Sequence, residues 1–321
     1  MSNNKLIDWW FRQFDISNEE MKLLKSYETD FETKDVEYFY DYVKEKALSM
    51  LPVRTFNYNV HFDTCATNII DWLFQQFVDD DTLVITTMSE HPSVKKNLEK
   101  CKNVLYICCN GKVIEDFYKK SEQIRNFKRV FVYSIALSVG DCQITFNDIM
   151  KDLKRDLDLR HIQSVFVLDA VQELFMLPRD YALYDYVIGT AHAFVTQYDT
   201  GILFSREYVE STKECLSRGN QYLDLLSILI RNKEKLYQFK YVMTQVFGSY
   251  LATDNALSVT ENGPYVFNLV DKKNRLIGIT EADPIAQPEN TNATLRACES
   301  LLDKEKFINK VETIKYLLSE N

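Results

Sequence analysis

The chain has 321 residues, enough for two domains, or one with an appendage, at a loose ~150 residues per domain. Its 46% hydrophobic and 26% charged residues are those of a folded globular protein and exclude a disordered tail or a low-complexity repeat. A formal net charge of −9 disfavours nucleic acid and anionic membrane as default partners, and only 8 Gly leave little material for glycine-rich phosphate loops.

Residues 1–50 read as an amphipathic helical segment with an apolar cluster at Trp9, Trp10, Phe11 and Phe14. Asp8 and Arg12 interrupt that cluster, so no secretory signal is expected. No run of about 18 apolar residues exists, so no transmembrane helix is expected. After Pro52 short apolar runs alternate with helical stretches. Tyr58–Phe62 precedes a helix from Thr64 to Phe77, and Thr82–Thr86 precedes one from Pro92. Val104–Cys108 leads into a helix through Phe117, and Val130–Ile135 into one from Phe146 to Leu157. Ser164–Leu168, Tyr186–Ile188 and Gly201–Phe204 then read as strands. Such alternation predicts an α/β fold with a mostly parallel sheet covered by helices.

From Gly219 to Gly248 the pattern is helical. Tyr265–Val270 and Arg275–Thr280 read as a hairpin, Thr294–Cys298 as a strand and Lys304–Leu318 as a closing helix, which together predict a small C-terminal α+β domain. The expected division is therefore 1–50, 51–215 and 216–321. The cysteines (Cys65, Cys101, Cys108, Cys109, Cys142, Cys215, Cys298) form no CxxC pair. They read as reduced thiols of a cytoplasmic protein. His61, His91, His161 and His192 do not fall at metal-ligand spacing with them, so no metal site is expected.

In a parallel sheet, ligand groups gather at the carboxyl ends of the strands. The residues at those ends are Thr64 and Thr67 at a helix start, His91 after Glu90, Asp169 followed by Gln172, and Thr190 followed by His192. Each has a plainer explanation taken singly. Asp169 could cap a helix or pair with a base, His91 could cap a helix, and Thr64 could be an ordinary N-cap. Cys298 could be a nucleophile or simply a small residue in a closing strand.

Taken in order, these residues resemble the class V aminotransferase family, the cysteine-desulfurase branch of the pyridoxal-phosphate enzymes of fold type I. The resemblance covers roughly residues 55–319. It implies that Thr64 or Thr67, with Thr190 and His192, would hold the cofactor phosphate. It also implies that His91 would stack on the ring, Asp169 would pair with the ring nitrogen and Gln172 would reach the ring hydroxyl. Arg296, in the closing strand, would hold a substrate carboxylate. The stretch from Phe131 to Gly140, with Tyr133 and Ser138, resembles molybdenum-cofactor sulfurases. The family's habit implies a homodimer or a protein partner.

The family's Schiff-base lysine falls at Ala193, and no lysine occurs between Lys154 and Lys213. That lysine anchors the cofactor and moves the substrate's α-proton, and alanine does neither. Arg218, Gly219 and Asn220 stand where the family has Arg-Gly-Thr. Three readings compete. The first is a pseudoenzyme acting as a binding or structural protein, with pyridoxal phosphate doubtful. The second is an active class V enzyme carrying a lysine-to-alanine change. The third is an enzyme that binds the cofactor non-covalently and uses His192 as base.

Overall fold

The structure is a computed structural model. It describes residues 36–51, 58–87, 90–107, 120, 122–135, 147–171, 174, 181–191, 200–207, 209, 257–261, 266–271, 276–281 and 294–296. The chain divides into two compact units; strands β1 to β7 lie in one and β8 to β11 in the other.

The larger sheet comprises β1 (Asn59–Asp63), β2 (Thr82–Thr87), β3 (Val104–Ile107), β4 (Arg129–Ile135), β5 (Gln163–Asp169), β6 (Tyr186–Thr190) and β7 (Gly201–Ser205). Its order is β1-β7-β6-β5-β4-β2-β3. The pairs β2 with β3, β2 with β4, β4 with β5 and β5 with β6 are parallel. Strand β7 runs antiparallel to both β6 and β1. The mostly parallel α/β sheet expected from the sequence is thus observed, with one reversed strand. Every residue of β2, β6 and β7 is buried, as strands covered on both faces require. Edge strand β3 alternates instead, with Tyr106 39% exposed.

The helices are α1 (Val36–Ser49), which lies in this unit from Asp41 onward, and α2 (Ala66–Phe77), α3 (Pro92–Leu98) and α4 (Asn147–Leu159), which lie wholly in it. Helix α2 buries Ala66, Ile69, Ile70, Leu73 and Phe74, the spacing of one helical face. That face packs on Val84, Phe131, Tyr133, Val167, Ile188 and Leu203 of the sheet. The ring of Phe74 lies 5.1 Å from Phe131 and 5.8 Å from Tyr133. Asn97 of α3 donates to Asp71 of α2 at 2.5 Å, tying the two helices together. Two residues beyond α4 stands His161, whose φ of 56° is left-handed. Ile162 N–H donates to Leu157 C=O and His161 N–H to Asp158 C=O, so the helix closes in a Schellman turn.

The smaller sheet has the order β11-β10-β9-β8, from β8 (Leu257–Glu261), β9 (Val266–Asp271), β10 (Leu276–Glu281) and β11 (Thr294–Arg296). The expected hairpin is β9 and β10, which pair antiparallel with a register shift between Leu276 and Gly278. Strand β11 joins parallel to β10. Strand β8 has no counterpart in the sequence reading. The helices expected over 219–248 and 304–318 lie outside the described residues, as does the segment through Phe117.

Candidate functional site

The first helix turn starts later than its sequence suggests. Asp63 ends β1, and its Oδ1 accepts from Thr64 N–H at 2.6 Å and Thr64 Oγ1 at 3.1 Å. Asn68 Nδ2 donates to the same oxygen at 2.8 Å and to Thr64 Oγ1 at 2.7 Å. These bonds hold Thr64 before the helix, so Thr64 is not the N-cap. The cap is Cys65, extended at φ −163°, and it makes no side-chain capping bond. The first-turn N–H groups of α2 therefore receive no side-chain cap. Thr67 is exposed in that first turn.

Gly201 brings this helix start against the sheet. It pairs with Asp63 on one side and Thr190 on the other. A Cβ at Gly201 would lie 2.5 Å from the Cys65 carbonyl carbon and 2.8 Å from Ala66 N. Only a glycine lets β7 approach the start of α2 so closely. Thr190 is fully buried at the end of β6, and Thr200 is buried just before β7. Thr200 Oγ1 has no partner among the described residues.

His91 caps α3. Its Nδ1 accepts from Ser93 N–H at 3.2 Å and lies 2.7 Å from Ser93 Oγ. The ring is half-buried and held by the turn that it caps.

Asp169 ends β5 and is 4% exposed. Its Oδ2 accepts from Tyr133 Oη at 2.7 Å, and its Oδ1 from Val171 N–H at 3.2 Å. Tyr133 pairs with Val167, two residues before Asp169, so the carboxylate sits one pleat above the phenol's partner. Burial, then the charges of Asp169 and Glu90, push the Tyr133 hydroxyl well above its ordinary range, so it stays a donor.

Glu90 was not singled out from the sequence. It is 1% exposed, and its Oε1 accepts from Thr87 Oγ1 at 2.7 Å and Thr87 N–H at 3.3 Å. Oε2 has no hydrogen-bond partner among the described residues. The Thr86 hydroxyl is near enough to favour the anion but makes no hydrogen bond of proper geometry to it. Desolvation by burial is the main cause that pushes Glu90 up to about 7; the nearby charge of Asp169 adds to it.

The carboxyl ends of β1, β2, β5 and β6 thus carry Thr64, Glu90 with His91, Asp169 and Thr190, and β7 begins among them. Gln172, His192 and Ala193 lie outside the described residues. Arg296 lies on β11, in the other unit. No group of metal-ligating side chains occurs among the described residues.

No protein-family model matches the sequence, and no curated protein matches it. Solved structures do match. A NifS-like protein from Rickettsia africae matches with a TM-score of 0.54 at 13% identity, over 79% of this chain and 79% of its own. A second NifS-like protein matches with a TM-score of 0.58 at 16% identity, over 95% of this chain and 97% of its own. The fold is that of the NifS-like proteins. The structure of SepCysS with the N-terminal domain of SepCysE also matches, with a TM-score of 0.54 at 13% identity, over 79% of this chain and 74% of that one. These are proteins of the pyridoxal-phosphate-dependent transferase fold type I, and identities this low establish the fold alone.

The polar groups fit a pyridoxal phosphate in this NifS-like fold. Asp169 is a buried carboxylate at a strand end, the kind of acceptor that a ring N–H needs. The uncapped start of α2 offers N–H donors to a phosphate. The chain has no lysine from residue 155 to residue 212, a span that includes β5, β6, β7 and their connections.

Proposed function

We propose that this chain is a lysine-less relative of the class V pyridoxal-phosphate enzymes, one that binds the cofactor without a covalent link. In this reading it acts as a binding protein rather than through lysine-dependent catalysis. The observation that carries the reading is the absence of lysine between Lys154 and Lys213. In the resemblance, the lysine position falls at Ala193, between β6 and β7.

A purely structural scaffold gives no reason to keep unpaired polar atoms buried at the strand ends. Each buried orphan costs roughly 1–3 kcal/mol. Glu90 Oε2, Thr86 Oγ1 and Thr200 Oγ1 are such atoms among the described residues. A bound polar ligand offsets that cost.

The cofactor, when bound, supplies an electron-accepting ring that no side chain provides. The chain's own part is to hold it. Asp169 would accept a hydrogen bond from the protonated ring nitrogen, and Tyr133 and Val171 N–H keep that carboxylate oriented. The start of α2, with Thr64, Thr67, Thr190 and His192, would receive the phosphate. His91, fixed by Ser93, would cover the ring, and Gln172 would reach its hydroxyl. In the resemblance, Arg296 of β11 is the residue for a substrate carboxylate. No residue at the lysine position takes a substrate proton, and one positioned acid or base is worth ~10²–10⁴-fold in rate.

The Phe131–Gly140 stretch supports placing the chain nearest the molybdenum-cofactor-sulfurase-like proteins. A protein partner or a second copy is proposed as the other occupant of its surface. One structural neighbour is itself described in complex with a second protein. No helix among the described residues is long and apolar enough to cross a membrane, and the proposed compartment is the cytoplasm.

The test is a thermal melt with added pyridoxal phosphate, alongside an assay for sulfur or amino-group release from amino acids. Ligand at 100 times its Kd stabilises by about 2.7 kcal/mol, so a saturable rise in Tm without turnover is expected. Turnover of an amino acid by the unmodified chain would overturn the reading.

A further inference from the structure

Two carboxylates are buried at the ends of β2 and β5, the strands on either side of β4, and the cofactor reading uses only one of them. We propose that Glu90 and Asp169 form a proton-linked carboxylate pair, in which the charge held at Asp169 decides whether Glu90 keeps its proton. The pair itself does not depend on the cofactor. Only the identity of the cation that meets Asp169 rests on the pyridoxal-phosphate reading.

The hydrogen bonds set the order in which the two ionise. Asp169 is held by a donor on each oxygen, Tyr133 Oη and Val171 N–H among them. Glu90 receives both of its donors, from Thr87, on Oε1, while Oε2 has no partner. The anion is therefore better held on Asp169, and a proton on Glu90 removes charge from the carboxylate that lacks a donor. Two charges so deeply buried repel strongly, because little water screens them. Tyr133 senses both, since the charges of Asp169 and Glu90 each raise its pKa.

The polar and titratable groups that act on Glu90 or share its field are Thr86 and Thr87 of β2, Tyr133 of β4 and Asp169 of β5. His91 follows it in sequence, with its ring engaged by Ser93. No Lys or Arg among the described residues forms an ion pair with Glu90. The raised pKa of Glu90, near neutrality, agrees with this arrangement.

The consequence is a proton-coupled site. When a cationic ring nitrogen or amine meets Asp169, it cancels the charge that Glu90 feels. Glu90 then releases its proton to solvent and remains a carboxylate. No bond to the ligand forms or breaks. By linkage, such a cation binds more tightly as pH rises through neutrality.

The direct test follows the side-chain carboxyl carbon of Glu90 by NMR across pH 5 to 8.5, assigned by its loss in Glu90→Gln. Asp169→Asn should lower the Glu90 midpoint by about one pH unit, since a like charge has been removed. Asp169→Ala serves if the first variant does not fold. An unchanged midpoint in the folded variant overturns the proposal. A second arm adds pyridoxal phosphate to weakly buffered protein at pH 7 with a proton indicator. Proton release in the wild type that is absent in Glu90→Gln supports the coupling, and equal release in both overturns it. If pyridoxal phosphate does not bind at all, the cofactor reading fails and the ligand-free titration still decides the pair.

Discussion

Glu90 shows how far a single side chain can depart from its sequence appearance. A glutamate in a turn between strand and helix reads as solvated, yet packing places it 1% exposed. Its pKa is raised from 4.5 to about 7. A carboxyl group with a raised folded-state pKa stabilises fully below its unfolded value. That stability is lost as pH rises through the folded value. The wild type should therefore lose about 3 kcal/mol of stability between pH 4.5 and pH 8 from this group, at 1.36 kcal/mol per unit. Denaturant melts of Glu90→Gln should show that pH dependence flattened, and a variant with the wild-type slope would contradict the assignment. Gly201 makes an opposite kind of demand. Gly201→Ala pushes a methyl group to 2.5 Å from the Cys65 carbonyl, so β7 and the start of α2 must separate. A loss of ~1–3 kcal/mol is expected in a chemical melt. Asp169 was legible because it ends an apolar run of the kind that becomes a buried parallel strand. Tyr133 and Glu90 were not, because only their packing across β2, β4 and β5 makes them partners.

At the scale of elements, periodicity located most of the first sheet to within a residue or two. Thr82–Thr87 and Gly201–Ser205 are continuous runs bounded by polar turns, and both are strands. The start of α2 moved from Thr64 to Ala66 because Asp63 captures Thr64 N–H, a competition between side chain and helix that the pattern alone does not resolve. Strand β8 escaped because Leu257–Glu261 is short, and only its pairing with β9 makes it a strand. The end of α4 offers a sharper test. His161 occupies the left-handed position that glycine prefers, at φ 56°. His161→Gly should relieve that strain and stabilise by ~0.5–1 kcal/mol, read as a higher Tm. A destabilised variant would mean that the histidine side chain contributes more than its backbone costs.

The whole molecule was legible as a class of fold but not as an order of strands. Alternating strands and helices announce a parallel sheet, yet they do not reveal that β7 inserts, reversed, between β1 and β6. That insertion brings Asp63, Gly201 and Thr190 side by side at the end where the cofactor phosphate is proposed to sit. The central proposal is that this NifS-like fold holds pyridoxal phosphate without a lysine anchor. The most direct measurement is borohydride reduction in the presence of pyridoxal phosphate, followed by peptide mass spectrometry, on the wild type and on Ala193→Lys. A reduced cofactor adduct at position 193 in the variant, with none fixed in the wild-type site, is the expected result. An adduct on a native lysine in the wild type, or none at position 193 in a folded Ala193→Lys variant, would contradict it.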